Sequence, residues 1–321
     1  MRENPKILAV VGPTAGGKTA LSIALAQRLG GEVICCDSMQ IYRGMSIGTA
    51  KPTEAEREGV PHHLFDIKNP DEPFSAMEYV TLAEAAVGDI LSRGKLPIFC
   101  GGTGLYLDAF LRGGMPDTPG ADPALRAELA ALAATNGAAF LHAALAEVDP
   151  DSAAATHPNN VRRVIRALEI YRLTGVAKSE WDRRSKELPA RYRAAVLGLT
   201  FQNRELLYER IDRRVEQMLA DGLLEETRTL MAQDVFLRSP TAAAAIGYKE
   251  MLPFLREECT LEEAVAALKL ATRHYAKRQL TWFSAKEYIR PLCMDDGVCT
   301  LKSEQIVNNA LRIVEDAWRM L

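Results

Sequence analysis

The sequence predicts an α/β fold, in which helices cover both faces of a mostly parallel sheet and a helical insertion interrupts the chain. Short apolar runs typical of buried strands alternate with segments whose apolar residues recur at helical spacing. A glycine-rich turn separates the first strand from the first helix. These patterns indicate βα units, because such units place parallel strands side by side with helices packed against them.

Four short apolar runs are candidate strands, at residues 7–11, 33–36, 96–100 and 194–199. The first run is followed by Gly12, the second by Asp37 and the third by Gly101. Ligands of open parallel sheets collect at the carboxyl ends of the strands. We therefore expect these three loops to lie together at one edge of the sheet.

A glycine- and proline-rich break at residues 113–123 separates the first three strands from an alanine-rich region and a basic segment. We predict the first part of the core over residues 1–114, a helical insertion over 115–190, and the second part of the core with C-terminal helices over 191–321. Helical spacing predicts later helices at residues 204–219, 223–232, 261–284 and 303–320.

The composition favours a cytoplasmic globular protein without membrane attachment. Hydrophobic residues make up 48% and charged residues 25% of the 321 residues. The amino-terminal sequence lacks the apolar region and cleavage site of a signal peptide. The six cysteines form no Cys-x-x-Cys pair, so we expect reduced thiols rather than a zinc site. We also expect a monomer.

Basic side chains are concentrated in two zones of a protein whose formal net charge is −3. Residues 157–186 hold eight Lys and Arg against three acids, and residues 269–290 hold six against one acid. Two local basic zones in an acidic protein suit a polyanion that binds at a defined place. From charge alone, two solvated helix faces are the alternative explanation.

A phosphate-binding loop follows the first strand, with the sequence Gly12, Pro13, Thr14, Ala15, Gly16, Gly17, Lys18, Thr19. It fits G-x-x-x-x-G-K-[ST] between a strand and a helix, which makes the predicted fold P-loop NTPase-like. The glycines let backbone amides converge on a phosphate, and the helix amino end adds partial positive charge. Lys18 supplies a full charge and Thr19 can hold Mg²⁺. The motif predicts diphosphate binding and leaves the reaction open.

Asp37 is the acid that follows the second strand. An ordinary ATPase needs a strand that ends in an acid to order magnesium, but the strand at residues 96–100 ends in two glycines. Spacing alone leaves two roles open for Asp37, as that magnesium-ordering acid or as a substrate contact.

Seven strings resemble tRNA dimethylallyltransferases in both order and rough spacing. They are GPTAGGKT, DSMQIYRGMSIGTAKP, PHHLFD, GGTGLYLDAFL, HPNNVRRVIRALEIY, AAAIGYKEM and KRQLTWF, and they extend from about residue 7 to residue 283. Gly16 stands where many relatives carry serine, a position that the loop motif leaves free. No zinc-finger motif follows, as expected of the bacterial form of the family.

The resemblance implies transfer of a dimethylallyl group from dimethylallyl diphosphate to the exocyclic amine of the adenosine 3′ of the anticodon in tRNA, with release of pyrophosphate. The phosphate-binding loop would then hold the prenyl diphosphate with Mg²⁺, and no ATP need be hydrolysed. Loop amides and Lys18 suit this role because negative charge grows on the departing pyrophosphate.

The resemblance also implies roles for individual residues. Asp37 matches the catalytic aspartate that accepts the amine proton, although a magnesium-ordering or strand-end acid remains the alternative. Arg214 matches an arginine that contacts the pyrophosphate, and Thr14 is expected to bond the same diphosphate. Arg210 and Arg213, on the same helix, are interpreted as surface residues.

Matches to family tRNA contacts are more numerous. They comprise Asp37, Ser38, Met39 and Gln40 around the target base; Thr103, which is alternatively a helix N-cap; Arg126; the run Arg162, Arg163, Val164, Ile165 and Arg166; the run Ala244, Ala245, Ile246, Gly247, Tyr248 and Lys249; and the run Lys277, Arg278, Gln279, Leu280, Thr281, Trp282, Phe283 and Ser284. In the last run, Lys277 and Arg278 can meet phosphates while aromatic rings offer stacking surfaces. Trp282 could equally be a core residue, and for Phe283 the core is the preferred interpretation.

Three other functions are compatible with parts of the sequence. An adenylate isopentenyltransferase uses the same prenyl donor on free AMP, ADP or ATP, but it needs no basic surface of this size. A P-loop small-molecule kinase would consume ATP with a small acceptor. A non-catalytic RNA-binding switch could use the loop to sense a nucleotide, and Asp37 would then be dispensable.

Overall fold

The computed structural model describes residues 4–113, 120–187 and 189–320. The chain divides into two compact units, which we call the sheet unit (Met1–Leu111 and Arg191–Leu321) and the helical unit (Arg112–Ala190). Residues 114–119, which belong to the predicted break, lie outside the described residues.

The sheet unit is built on six parallel strands among the described residues. They are β1 (Lys6–Val11), β2 (Gly31–Cys35), β3 (His62–His63), β4 (Leu96–Gly101), β5 (Arg193–Thr200) and β6 (Ile289–Cys293), in the spatial order β3-β2-β4-β1-β5-β6. The predicted α/β class and the four predicted strands are confirmed.

The register brings the strand ends together as expected. Val11 of β1 lies beside Gly101 of β4, and Cys35 of β2 lies beside Cys100 of β4. The loops that follow β1, β2 and β4 therefore leave the same edge of the sheet.

Two strands were not predicted, and both lie at the edges of the sheet. β3 consists of His62 and His63 alone, while β6 carries Arg290 and Pro291. An edge strand bonds to a neighbour on one side only, so it tolerates proline and polar side chains. The apolar pattern that reveals a central strand is absent from both.

Helices surround the sheet on both faces. In the sheet unit they are α1 (Lys18–Leu29), α2 (Ala76–Ser92), α3 (Gly104–Leu111), α9 (Arg204–Ala220), α10 (Leu223–Ala232), α11 (Val235–Arg238), α12 (Pro240–Ala243), α13 (Leu252–Leu255), α14 (Leu261–Ser284) and α15 (Ser303–Met320), with a 3-10 turn at Ala55–Arg57. The four later helices that spacing predicted correspond to α9, α10, α14 and α15.

β1 shows why the central strands are apolar throughout. Leu8 and Val10 pack on one face with α1 and α15, whereas Ile7, Ala9 and Val11 pack on the other face with α2 and α3. Because successive side chains of a strand point to opposite faces, a strand covered on both faces must be apolar at every position.

The helical unit has a small core of its own. Its helices are α4 (Pro123–Asn136), α5 (Ala138–Val148), α6 (Pro150–Ala154), α7 (Val161–Thr174) and α8 (Lys178–Glu187). Leu129, Leu141, Leu145 and Val164 are buried in this core. In the described part of the chain, no helix combines the length and apolar character needed to cross a membrane.

Candidate active site

The loop between β1 and α1 has the conformation of a phosphate cradle. Gly12 and Gly17 have φ angles of 144° and 97°, which lie in the region that favours glycine. A Cβ atom on Gly12 would also lie 2.9 Å from the Leu199 Cβ atom of the adjacent strand. Gly17 is the N-cap of α1, so the amino end of that helix opens into the loop. Such a terminus attracts anions.

Lys18 begins α1 and folds back over the loop. Its Nζ donates to the Pro13 carbonyl at 2.8 Å. The pKa of Lys18 is lowered to about 8, mainly by burial and also by nearby Arg214, although Cys100 and Asp37 act in the opposite direction. A buried ammonium whose pKa is depressed gains much from a bound anion, because the anion replaces the lost solvation.

Two arginines of α9 reach the same loop. Arg214 donates from Nη1 to Thr14 Oγ1 at 3.3 Å, so the two residues predicted to share a diphosphate are in contact. Arg210 donates from Nε to the Ala15 carbonyl at 2.8 Å, and burial lowers its pKa. The interpretation of Arg210 as a surface residue was therefore wrong. Arg213 is exposed, as that interpretation predicts. The four-residue spacing of Arg210 and Arg214 is the signal that could have paired them.

Asp37 lies just beyond β2, facing the loop that follows β4. Its Oδ1 accepts the Met39 amide at 2.9 Å. Its Oδ2 points towards Gly102, 3.8 Å from where a Cβ atom would stand there. One carboxylate oxygen is therefore bonded to the backbone, and the other lies beside the loop that follows β4.

Thr103 holds the backbone beside Asp37. Its Oγ1 accepts the Ser38 amide at 2.9 Å and donates to Ser38 Oγ at 3.3 Å, and its amide donates to the Cys36 carbonyl at 3.1 Å. Thr103 directly precedes α3, but its hydroxyl joins two strand-end loops. The close approach leaves no room for a side chain at Gly101, where a Cβ atom would lie 1.9 Å from the Cys36 carbonyl oxygen.

Gln279, which the resemblance placed among the tRNA contacts, is instead buried within the sheet unit. It is only 4% exposed, on α14, where its Oε1 accepts the Thr14 amide at 2.8 Å and its Nε2 donates to the Gly102 carbonyl at 3.1 Å. It thus bridges the phosphate-binding loop and the loop beside Asp37. Tyr275, one turn earlier, was not among the predicted site residues; burial raises its pKa, and the Asp37 carboxylate raises it further.

The third predicted tRNA-contact run is only partly exposed. Lys277 and Arg278 are exposed on α14. Trp282 is half-buried, and its Nε1 atom lies 2.1 Å from where a Cβ atom would stand on Gly104. Phe283 is in the core, as preferred. Within this run, an aromatic surface for stacking is thus limited to the part of Trp282 that remains accessible.

The other predicted contacts divide in the same way. Arg162 and Arg163 are exposed, while Val164 and Ile165 are buried in the helical unit. In the run from Ala244 to Lys249, Tyr248 is fully buried in the sheet unit. Side chains of these buried residues are not available to touch tRNA.

Arg126 and Arg166 converge on one buried acid in the helical unit. Arg126 donates to Glu169 through Nε at 2.8 Å and Nη2 at 3.0 Å, and Arg166 Nη1 lies 2.5 Å from the same carboxylate. Glu169 is completely buried. Burial raises its pKa, but the hydrogen bonds from the two arginines lower it more, so the pKa of Glu169 lies below its usual value. The two arginines, separate in sequence, are therefore held side by side.

Residues able to hold a divalent cation are few near the loop. In the described ranges, no group of three or more His, Cys, Asp or Glu side chains has the geometry of a metal site. Thr19, on the first turn of α1, offers a hydroxyl, and Mg²⁺ commonly binds through one or two protein oxygens together with substrate phosphates and waters. A cation would fit here when a diphosphate supplies most of the ligands.

Known proteins resemble this chain along nearly its whole length. The family model described as IPP transferase matches residues 40–286, and that of isopentenyl transferase matches residues 5–74. A tRNA dimethylallyltransferase of Geobacillus thermodenitrificans is 54% identical over 278 residues, or 87% of each chain. That of Geobacillus kaustophilus is 52% identical over 303 residues, covering 94% of this chain and 95% of the relative.

Solved structures give the same result. The tRNA isopentenylpyrophosphate transferase of Bacillus halodurans is 44% identical with a TM-score of 0.70, and the match covers 98% of each chain. A eukaryotic dimethylallyltransferase acting on tRNA is 34% identical with a TM-score of 0.78, covering 91% of this chain and 74% of the other.

Proposed function

Because this chain belongs to the tRNA dimethylallyltransferase family, we propose that it transfers a dimethylallyl group from dimethylallyl diphosphate to the exocyclic amine of the adenosine 3′ of the anticodon in tRNA. One juxtaposition supports this reaction above others. Gln279 bonds both the cationic phosphate-binding loop and Gly102, and the Asp37 carboxylate lies beside Gly102.

The loop residues hold the leaving group. Backbone amides at the start of α1, together with Lys18, Arg210 and Arg214, surround the space in front of the loop. As the bond between the allylic carbon and the diphosphate oxygen breaks, negative charge accumulates on that oxygen. Donors that are already oriented stabilise this charge without further reorganisation. Thr19 would hold Mg²⁺, which adds positive charge on the same diphosphate.

Asp37 acts on the acceptor. The exocyclic amine of adenine is a weak nucleophile because its lone pair is delocalised into the ring. The bond from the amine nitrogen to the allylic carbon forms, pyrophosphate departs, and the amine proton passes to Asp37 Oδ2. The Met39 amide on Oδ1 keeps the carboxylate in this orientation.

The tRNA brings the adenosine to this site. Leaving the anticodon-loop stack costs a few kcal/mol, less than in a duplex. The exposed basic residues Arg162, Arg163, Lys277 and Arg278 would compensate through the phosphate backbone.

Labelled dimethylallyl diphosphate offered with tRNA in one tube and AMP in another tests the proposal. We expect label in the nucleoside 3′ of the anticodon after digestion and mass spectrometry. A tRNA in which guanosine replaces that adenosine is the matched control. Label in AMP alone would assign the free-nucleotide reaction, while tRNA-stimulated ATP hydrolysis without transfer would overturn prenyl transfer altogether.

A further inference from the structure

The Glu226 carboxylate, on α10, is bound by four donors. Oε2 accepts the amides of Ser46 at 3.1 Å and Ile47 at 2.9 Å. Oε1 accepts the amide of Gly48 at 3.0 Å and the Tyr248 hydroxyl at 2.7 Å. Three successive amides that converge on one carboxylate fix the backbone of a segment that lies outside any helix or strand.

Tyr248 closes the cluster from the other side. Its ring is fully buried against Gly48, where a Cβ atom would lie 2.5 Å from the Tyr248 Cζ atom. The turn that presents Tyr248 is held in its own right, because Glu250 Oε2 accepts the Gly247 amide at 3.0 Å. Glu226 and Tyr248 therefore define the path of residues 46–48.

The next two residues carry this constraint to the candidate active site. The carbonyls of Thr49 and Ala50 each accept Gln40 Nε2 at 3.0 Å. The Ala50 carbonyl also accepts Arg214 Nη2 at 3.4 Å, and Ala50 itself has a φ of 50°, which this loop must stabilise. Because its amide nitrogen donates to these two carbonyls, the Gln40 side chain points its Oε1 atom away from them. Oε1 lies 3.7 Å from Cys35 Sγ.

We propose that Glu226, with Tyr248, is a positioning residue for prenyl transfer, acting through residues 46–50 on Gln40 and Arg214. The inference rests on the proposed function, because Gln40 lies in the segment assigned to the target base and Arg214 beside the diphosphate. Tyr248 is then a support of the loop and not a tRNA contact. A displacement of under about 1 Å at reacting groups is enough to lower turnover strongly.

Glu226→Gln is the direct test, because it keeps the size of the side chain but turns an N–H₂ group towards backbone N–H donors. We expect turnover at saturating donor and tRNA to fall roughly ten-fold or more. The dissociation constant for tRNA should change less than about two-fold. Tyr248→Phe removes only the hydroxyl and should lower turnover by roughly five-fold.

Glu32→Gln is the matched control. Glu32 is also a buried carboxylate, bonded to Arg93 and His63, but it lies at the opposite end of β2 from Asp37. It should lower thermal stability at least as much as Glu226→Gln while leaving turnover unchanged. A loss of turnover that merely follows the loss of stability across these three variants would overturn the positioning role.

A second measurement separates positioning from general structural support. Glu226→Gln is combined with Gln40→Leu and, separately, with Arg214→Lys. If Glu226 acts through these residues, its effect on turnover should shrink to under about three-fold in at least one background. The same factor in both backgrounds overturns the inference. Wild-type protein that transfers no prenyl group to tRNA would instead refute the proposed function, so the two failures are distinguishable.

Discussion

Asp37 lies near enough to Lys18 for its charge to affect the pKa of the lysine, and the proposed function gives each side chain a separate role. Asp37 is a carboxylate with one oxygen bonded to the Met39 amide and the other beside Gly102. Lys18 is half-buried, burial lowers its pKa, and its ammonium donates to the Pro13 carbonyl of the phosphate-binding loop. Their difference in environment allows the two roles to be tested separately.

Asp37→Asn keeps the shape of the side chain but removes the proton acceptor. We expect the rate of transfer to fall roughly 10²–10⁴-fold, the range typical of losing a general base. Single-turnover transfer to tRNA measures the rate, and equilibrium binding of the donor should stay within about two-fold of wild type. Wild-type turnover in this variant would mean that the carboxylate is structural.

The depressed pKa of Lys18 predicts a pH dependence. Below about pH 8 the free enzyme carries the ammonium, and above it the charge is lost, so kcat/KM for dimethylallyl diphosphate should fall as the pH rises through 8. A bound diphosphate favours the charged form, so kcat should stay level to higher pH. Initial rates between about pH 6.5 and 9.5 measure both kcat/KM and kcat. Return of full activity after transfer to about pH 7.5 excludes unfolding as the cause. Parallel pH profiles of kcat/KM and kcat would contradict the assignment.

At the scale of secondary-structure elements, α14 joins two loops that the sequence places far apart. Gln279 offers one acceptor and one donor, which match the Thr14 amide and the Gly102 carbonyl. Glycine at position 102 is required because the amide occupies the space of a Cβ atom, at 2.1 Å. α14 therefore holds two loops of the candidate active site through Gln279 and also carries exposed basic residues.

Gln279→Leu should lower the free energy of unfolding by about 1–3 kcal/mol, because it removes the partners of the half-buried Thr14 amide and the buried Gly102 carbonyl. Chemical denaturation measures the effect. Lys277→Ala, on the exposed face of the same helix, is the control and should change stability by less than about 0.5 kcal/mol. Equal stability of both variants would show that water replaces the bridge.

At the scale of the whole molecule, the two basic zones belong to different compact units. The exposed pair Arg162 and Arg163 lies in the helical unit, and the exposed pair Lys277 and Arg278 lies in the sheet unit. We expect both pairs to contact the backbone of one anticodon stem-loop. A protein with net charge −3 binds a polyanion only where its cations are concentrated.

Alanine at both positions of either pair should weaken tRNA binding and flatten its salt dependence. The slope of log K against log salt should change by about 0.7–0.9 for each phosphate that the variant no longer neutralises. Filter binding at several salt concentrations measures it, and donor binding should survive. Trp282→Ala should instead cost about 1–3 kcal/mol with little change in slope if the accessible part of its ring stacks on a base. Unchanged slopes in both pairs would mean that the zones are solvated faces.

The sequence was informative where local chemistry decides the structure. The apolar runs of β1, β2, β4 and β5 were readable because buried central strands need apolar residues at every position. The loop motif was readable because glycines, Lys18 and Thr19 are required by phosphate geometry. The edge strands β3 and β6 were not readable, since one-sided pairing imposes no such pattern.

The sequence by itself determined the fold class, the phosphate-binding loop and the position of Asp37 at a strand end. Only the tertiary structure decided that Arg210 joins the loop, that Gln279 bridges two loops, and that Glu226 fixes residues 46–48. Each of these contacts links residues far apart in the chain. Their polar side chains follow no periodic pattern, because a hydrogen bond depends on where the partner lies in space and not on where it lies in sequence.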